Sequence, residues 1–132
     1  MRRSYALLAL ILFIGTVLRL YLLFSNTQTN SDGVLYAWIG SNLADGYGYT
    51  IAEGTSLSDA RAWHVPAFPL TLAIFYTVLD KGLFVSKLPA FVFGILTIAL
   101  IYVLCERLFD RTTALIASLF VAIHPQLVFF SA

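Results

Sequence analysis

The chain alternates long stretches that carry no charge, or a single one, with short stretches where charges gather. Ser4 to Phe24 is apolar except for Ser4, Gly15, Thr16 and Arg19. At ~1.5 Å per helical residue it is long enough to cross a hydrocarbon core of ~30 Å. The pattern predicts a transmembrane helix within residues 1–24. Arg2 and Arg3 ahead of it place the N-terminus in the cytoplasm, so the chain emerges on the far side near Ser25. A cleaved signal peptide is the competing reading. After Leu18, however, come Arg19 and then Leu20-Tyr21-Leu22-Leu23-Phe24, with no small-x-small cleavage site. Arg19 stands about a turn and a half from the exit. It either snorkels to the outer headgroups or pairs with an acidic group or an anionic ligand.

Residues 25–64 form a polar loop with Asp32, Asp45, Glu53, Asp59 and Arg61, a net charge of −3. The loop is too long to be a mere connector. Within it, Gly33 to Ala44 predicts a helix, with Ser31 or Asp32 as N-cap and Asp45-Gly46 as the stop. Val34, Leu35, Trp38, Ile39 and Leu43 fall near one face, and Tyr36 and Trp38 are of the type that settles at headgroup depth, so this amphipathic helix is expected to lie along the membrane surface. Gly46-Tyr47-Gly48-Tyr49 and Glu53-Gly54-Thr55-Ser56 read as turns; with no strand ahead of them, these glycines do not form a nucleotide-binding pattern.

Residues 65–79 are uncharged but give only ~22 Å of helix, short for a full crossing. Asp80-Lys81 interrupts the run. Residues 88–105 are a good span, and residues 112–132 another, with Pro125 after His124 ending or kinking that helix. Two topologies follow. If 65–79 crosses, Lys81 and Lys87 are cytoplasmic and Arg107 and Arg111 are outside. If it dips in or lies flat, Arg107 and Arg111 are cytoplasmic and the His124-Pro125 end emerges outside; its short length favours this version. The charge rule does not choose, because each version puts two bases inside. The expected architecture is an all-α membrane protein of three to four hydrophobic helices plus a surface-lying amphipathic helix in the first external loop. With no polar tail after the last span, the expectation is that residues 1–132 are the N-terminal part of a longer multi-span domain.

Composition sharpens this picture. The chain is 60% apolar and 11% charged, with mean hydropathy +0.87, and a soluble fold lacks the surface to explain it. A net charge of +1 without any basic block argues against nucleic acid as a partner. Cys105, in an apolar run, has no second cysteine to pair with and reads as a buried small residue. There is no phosphate-binding glycine loop, no histidine or cysteine cluster with ligand spacing, and no serine, histidine and acid arrangement. The external loop remains. Asp32 stands eight residues past the end of the first span, where a carboxylate can meet a lipid-linked substrate whose head emerges at that depth; alone, it reads equally as a helix N-cap. Asp45, Glu53 and Asp59 read as solvated or turn-forming residues.

Four stretches resemble a known family. Ser31-Asp32-Gly33-Val34-Leu35-Tyr36, followed by Asn42-Leu43-Ala44-Asp45-Gly46-Tyr47-Gly48-Tyr49, looks like the first external loop of the GT-C superfamily, the membrane-embedded glycosyltransferases that use polyprenyl-phosphate sugars. That superfamily includes the dolichyl-phosphate-mannose protein mannosyltransferases and the aminoarabinose transferases. His64-x-Pro66-x-x-Pro69-Leu70, Lys87-Leu88-Pro89-Ala90-x-x-x-Gly94, and Arg107-Leu108-Phe109-Asp110-Arg111 with Ala114-Leu115 and His124-Pro125 agree with it in order and spacing.

The resemblance implies an inverting glycosyltransferase that moves a sugar from a polyprenyl-phosphate donor to an acceptor at the outer face of a plasma membrane. In it, Asp32 serves as general base or as ligand to a divalent cation, Mg or Mn, near the donor phosphate. Many relatives carry a second acid directly after the first; here that position is Gly33, which points toward members with a lone Asp. His64 and Arg61 are candidate contacts for donor phosphate or acceptor where the loop returns to the membrane. Tyr36 is a candidate substrate contact whose other reading is a membrane anchor, as for Trp38. Relatives are several times longer, so this portion alone is expected to be inactive. The alternative from a different class is a small non-catalytic multi-span subunit or scaffold.

Overall fold

The same period of about four residues sorts α1 (Arg2–Ser25) into two stripes with opposite chemistry. Ile11, Gly15, Arg19 and Leu23 are buried, whereas Leu10, Phe13, Val17, Tyr21 and Phe24 are exposed. A water-soluble helix hides its apolar stripe; this one hides its glycine and its charge and displays its aromatic and aliphatic side chains, as lipid-facing helices do. The computed structural model describes residues 2–25, 31–51 and 65–131. Its remaining helices are α2 (Ser31–Ala44), α3 (Ala67–Val78), α4 (Leu83–Leu108), α5 (Arg111–Ile123) and α6 (Pro125–Phe130), with no strand among the described residues. The chain is all-α, as the hydropathy pattern predicts. Two stretches, Ser4–Ser25 and Leu83–Leu108, are long and apolar enough to cross a membrane; Ala67–Val78 and Arg111–Ile123 are shorter apolar helices.

The helices fall into two units, residues 1–26 with 90–132 and residues 27–89. In the first, Ile11, Ile98 and Ala122 form the core, flanked by Leu12, Leu115 and Val121. Gly15 lies against Ile98, and Gly94 against the Arg19 guanidinium, so close that a Cβ on either glycine would stand 2.6 Å from Ile98 Cδ1 or 2.9 Å from Arg19 Nε. Position rises along α1 as it falls along α4, so the two helices run in opposite directions. α5 turns Ala114, Ser118 and Ala122 inward, small residues one turn apart that let backbones approach. Pro125 lacks the N–H that would continue α5, and His124, at ψ 119°, leaves the helical path before α6 begins. The break falls where the sequence predicts it.

The Arg19 guanidinium does neither of the things expected of it. It is 1% exposed, and its hydrogen-bond partners among the described residues are backbone carbonyls rather than an acid. Nη1 donates to Gly15 O at 3.1 Å and to Ala122 O at 3.0 Å, and Nη2 donates to Val121 O at 3.2 Å. At the opposite end of this unit, Asp110 caps α5 by accepting from the amides of Thr112 at 2.7 Å and Thr113 at 3.0 Å. Glu106 accepts from Arg111 Nε at 2.8 Å.

In the second unit α2 and α3 lie side by side. Tyr36 meets Phe68 edge-on with ring centroids 5.6 Å apart, a Cβ on Gly40 would stand 2.8 Å from Leu72 Cβ, and Asp45 pairs with Lys81. Both numbers rise together, so α2 and α3 point the same way. Ile39 and Leu72 are buried in this unit. Tyr76 bonds Ser86 through their hydroxyls at 2.6 Å, tying α3 to the first turn of α4. α4 begins five residues before the predicted Leu88: Leu83-Phe84-Val85 are apolar with no glycine or proline stop directly after them, and Ser86 N donates to Gly82 O at 3.0 Å as the helix starts. Lys87 and Pro89 therefore lie inside α4.

Candidate functional site

The signature running from Asn42 to Tyr49 folds as one local device. α2 ends in a Schellman motif: Tyr47 N donates to Asn42 O at 2.9 Å and Gly46 N to Leu43 O at 3.2 Å, with Gly46 at φ +82°. That φ is the left-handed region that favours glycine, and Gly48 at φ +87° repeats the requirement two residues on. The buried Asn42 side chain then donates from Nδ2 to Thr50 O at 3.0 Å. This bond holds Tyr47 to Thr50 back against the helix they have just left. Asn42, unremarked as a candidate in the sequence, is thus the residue that fastens the turn. Its signal was present in the run Asn42-Leu43-Ala44-Asp45-Gly46, where an amide ahead of a glycine stop has loose backbone carbonyls within reach.

Asp32 lies in the first turn of α2 and is exposed. At a helix start its carboxylate faces the positive end of the peptide dipoles. Tyr36, half-buried one turn further on, shares its face, so the structure brings these two predicted residues together. Tyr49 lies near Tyr36: burial, and then the neighbouring Tyr36, push its phenol above the ordinary tyrosine value. Because α3 runs parallel to α2, it begins at the same end as Asp32, and it begins without a side-chain cap at Pro66. One carboxylate, two phenols and two adjacent helix starts can accept a proton, donate hydrogen bonds to a polar ring and favour a nearby anion. Arg61 and His64 lie outside the described residues.

Among the described residues no three of His, Cys, Asp and Glu gather as metal ligands. Asp45, the other acid of α2's neighbourhood, is held by Lys81 and acts as a turn residue. Asp110 is a helix cap, a role not given to it from the sequence, and His124 with Pro125 ends α5, as the sequence predicts.

Comparison with known proteins bears on the same stretches. No curated protein and no solved structure matches the chain. A family model described as dolichyl-phosphate-mannose-protein mannosyltransferase matches residues 63–132, more than half of the 132. The match takes in the histidine-proline, lysine-leucine-proline and arginine-rich signatures and leaves Asp32 and the rest of α2 outside it. With its lipid-facing spans, this membrane protein belongs to the dolichyl-phosphate-mannose-protein mannosyltransferase family, a family of membrane glycosyltransferases.

Proposed function

We propose that the chain is part of an inverting glycosyltransferase that takes a sugar from a polyprenyl-phosphate donor at the outer face of the membrane, with Asp32 as the base toward the acceptor. The observation that carries this reading is the opposed direction of α1 and α4. Antiparallel packing puts the start of α1 and the end of α4 on one membrane face. Arg2, Arg3, Arg107 and Arg111 then share that face, and four arginines mark it as cytoplasmic. The end of α1 and the start of α4 share the outer face. What lies between them, α2 and α3 with Asp32, belongs outside, and α3, at ~18 Å, is too short to cross. This is the version in which residues 65–79 dip in or lie flat. It also keeps α2 near headgroup depth, where Trp38 and Tyr47 are exposed.

The chemistry follows from placement. The Asp32 carboxylate takes the proton of an acceptor hydroxyl as its oxygen attacks the anomeric carbon; the bond from that carbon to the phosphate oxygen breaks, and the polyprenyl phosphate leaves with the electron pair. Attack from the face opposite the phosphate inverts the centre. The neighbouring starts of α2 and α3 favour the negative charge that the phosphate gains. Tyr36 and Tyr49 offer aromatic surface to the sugar, and His64 and Arg61 are further contacts for phosphate or acceptor.

In the full-length protein, Asp32→Asn is expected to abolish sugar transfer from a polyprenyl-phosphate donor in reconstituted vesicles while membrane insertion is unchanged. Retained turnover would remove Asp32 from the mechanism. Wild-type transfer that survives chelation of divalent ions assigns Asp32 to proton abstraction rather than to holding a cation.

A further inference from the structure

Arg19 is the one buried charge among the described residues, and it sits in a membrane span. An isolated guanidinium within a membrane span is costly. Nothing in the proposed transfer uses it, so its retention needs another cause. The cause is visible at the end of α5. In an unbroken helix the Val121 carbonyl would accept from the amide of residue 125, but that residue is proline and has no N–H. The turn at His124 also carries the following amide away from the Ala122 carbonyl. These two orphaned oxygens are the ones that Arg19 reaches, at 3.2 and 3.0 Å.

The surroundings are shaped for that purpose and leave no room for a ligand. Gly15 is open where a Cβ would stand 3.3 Å from Nη1, and Gly94 where one would stand 2.9 Å from Nε. Nε has no partner, yet the Gly94 backbone covers it, with Ser131 packed on the same glycine. An anion aimed at Nε would have to displace backbone. Both sequence expectations for Arg19, headgroup contact and anion pairing, are met by neither space nor partners.

We infer that Arg19 is a positioning residue, an intramembrane C-cap delivered from α1 to the broken end of α5, which fixes the angle at which α6 departs. The cation also faces the negative end of the α5 dipole, the sign that stabilises it. Arg19 and Pro125 are therefore a coupled pair: the proline creates the orphaned carbonyls, and the arginine satisfies them. This assignment is independent of the role of Asp32, because its tests read geometry and stability rather than transfer.

The test uses the full-length chain in lipid nanodiscs, in a Cys105→Ser background, with nitroxides at Tyr21→Cys on α1 and Phe129→Cys on α6, both exposed positions. Pulsed electron paramagnetic resonance is expected to give one narrow distance distribution. Arg19→Met should lose that single peak, and Arg19→Lys should retain it in part, since an ammonium still donates to carbonyls. Pro125→Ala returns an amide to the Val121 carbonyl, so Arg19→Met should lower the melting temperature less in that background than in the native one. An unchanged distribution in Arg19→Met, or additive losses of melting temperature, overturns the proposal. Should Arg19→Met fail to fold, a carbon-13, oxygen-18 label on the Val121 carbonyl of the unmutated chain decides. A band shifted down by a charge-assisted hydrogen bond supports the cap, and the frequency of an unbonded carbonyl sinks it.

Discussion

At the scale of single residues, Gly40 sets a sharp constraint on the α2–α3 pair. A Cβ there would meet Leu72 Cβ at 2.8 Å and the Pro69 carbonyl at 3.3 Å, so α2 and α3 approach each other through the missing side chain. Gly40→Leu is expected to cost about 1–3 kcal/mol by overpacking, read by thermal or denaturant unfolding, while substitution at Gly82, where nothing lies near, is tolerated. The sequence does not disclose this, because a glycine inside a helix pattern looks alike whether it faces a neighbour or solvent. The place of Asp32 at a helix start was legible for a different reason: helix starts advertise themselves through local chemistry, wherever the helix later docks. Arg19 was misread because its partners are backbone carbonyls, two of the three more than a hundred residues away, which carry no side-chain signature.

At the scale of elements, the local stops were readable and the pairings were not. The Gly46 turn and the His124-Pro125 break are set by glycine and proline and appear where the sequence puts them. The parallel course of α2 and α3 rests on contacts across more than thirty residues and left no periodic trace. The start of α4 was misjudged because Lys87 looked like a boundary, although a lysine near a helix end can keep its head at the interface. α5 offers a test with a definite sign. Bonds from the Thr113 amide first, and then from the Thr113 hydroxyl, hold the Asp110 carboxyl below its ordinary value. A depressed carboxyl contributes its stabilisation above the unfolded pKa and loses it as pH falls through the folded one. Hydrogen exchange at Thr112 and Thr113 should therefore stay slow through neutral pH and quicken only in strong acid; Asp110→Asn, which keeps an acceptor but cannot titrate, should remove that step.

At the scale of the whole molecule, the antiparallel pairing of α1 and α4 supports the proposed version in which residues 65–79 do not cross, and labelling tests it. Single cysteines introduced into a Cys105→Ser chain at Tyr47 and Lys81 should react with an impermeant maleimide from outside intact cells or vesicles. One at Phe109 should react only after permeabilisation. Labelling of Phe109 and Tyr47 from the same side would overturn the arrangement. The 26 residues of α4 carry a further consequence. Its uncharged stretch between Lys87 and Glu106 is only ~27 Å long, although the helix itself measures ~39 Å. Thin bilayers fit that stretch, whereas long acyl chains draw the lysine or the glutamate into hydrocarbon or force the helix to tilt. Transfer measured across vesicles of increasing acyl-chain length should peak at short chains and decline, so that lipid composition alone grades the output of an unchanged polypeptide.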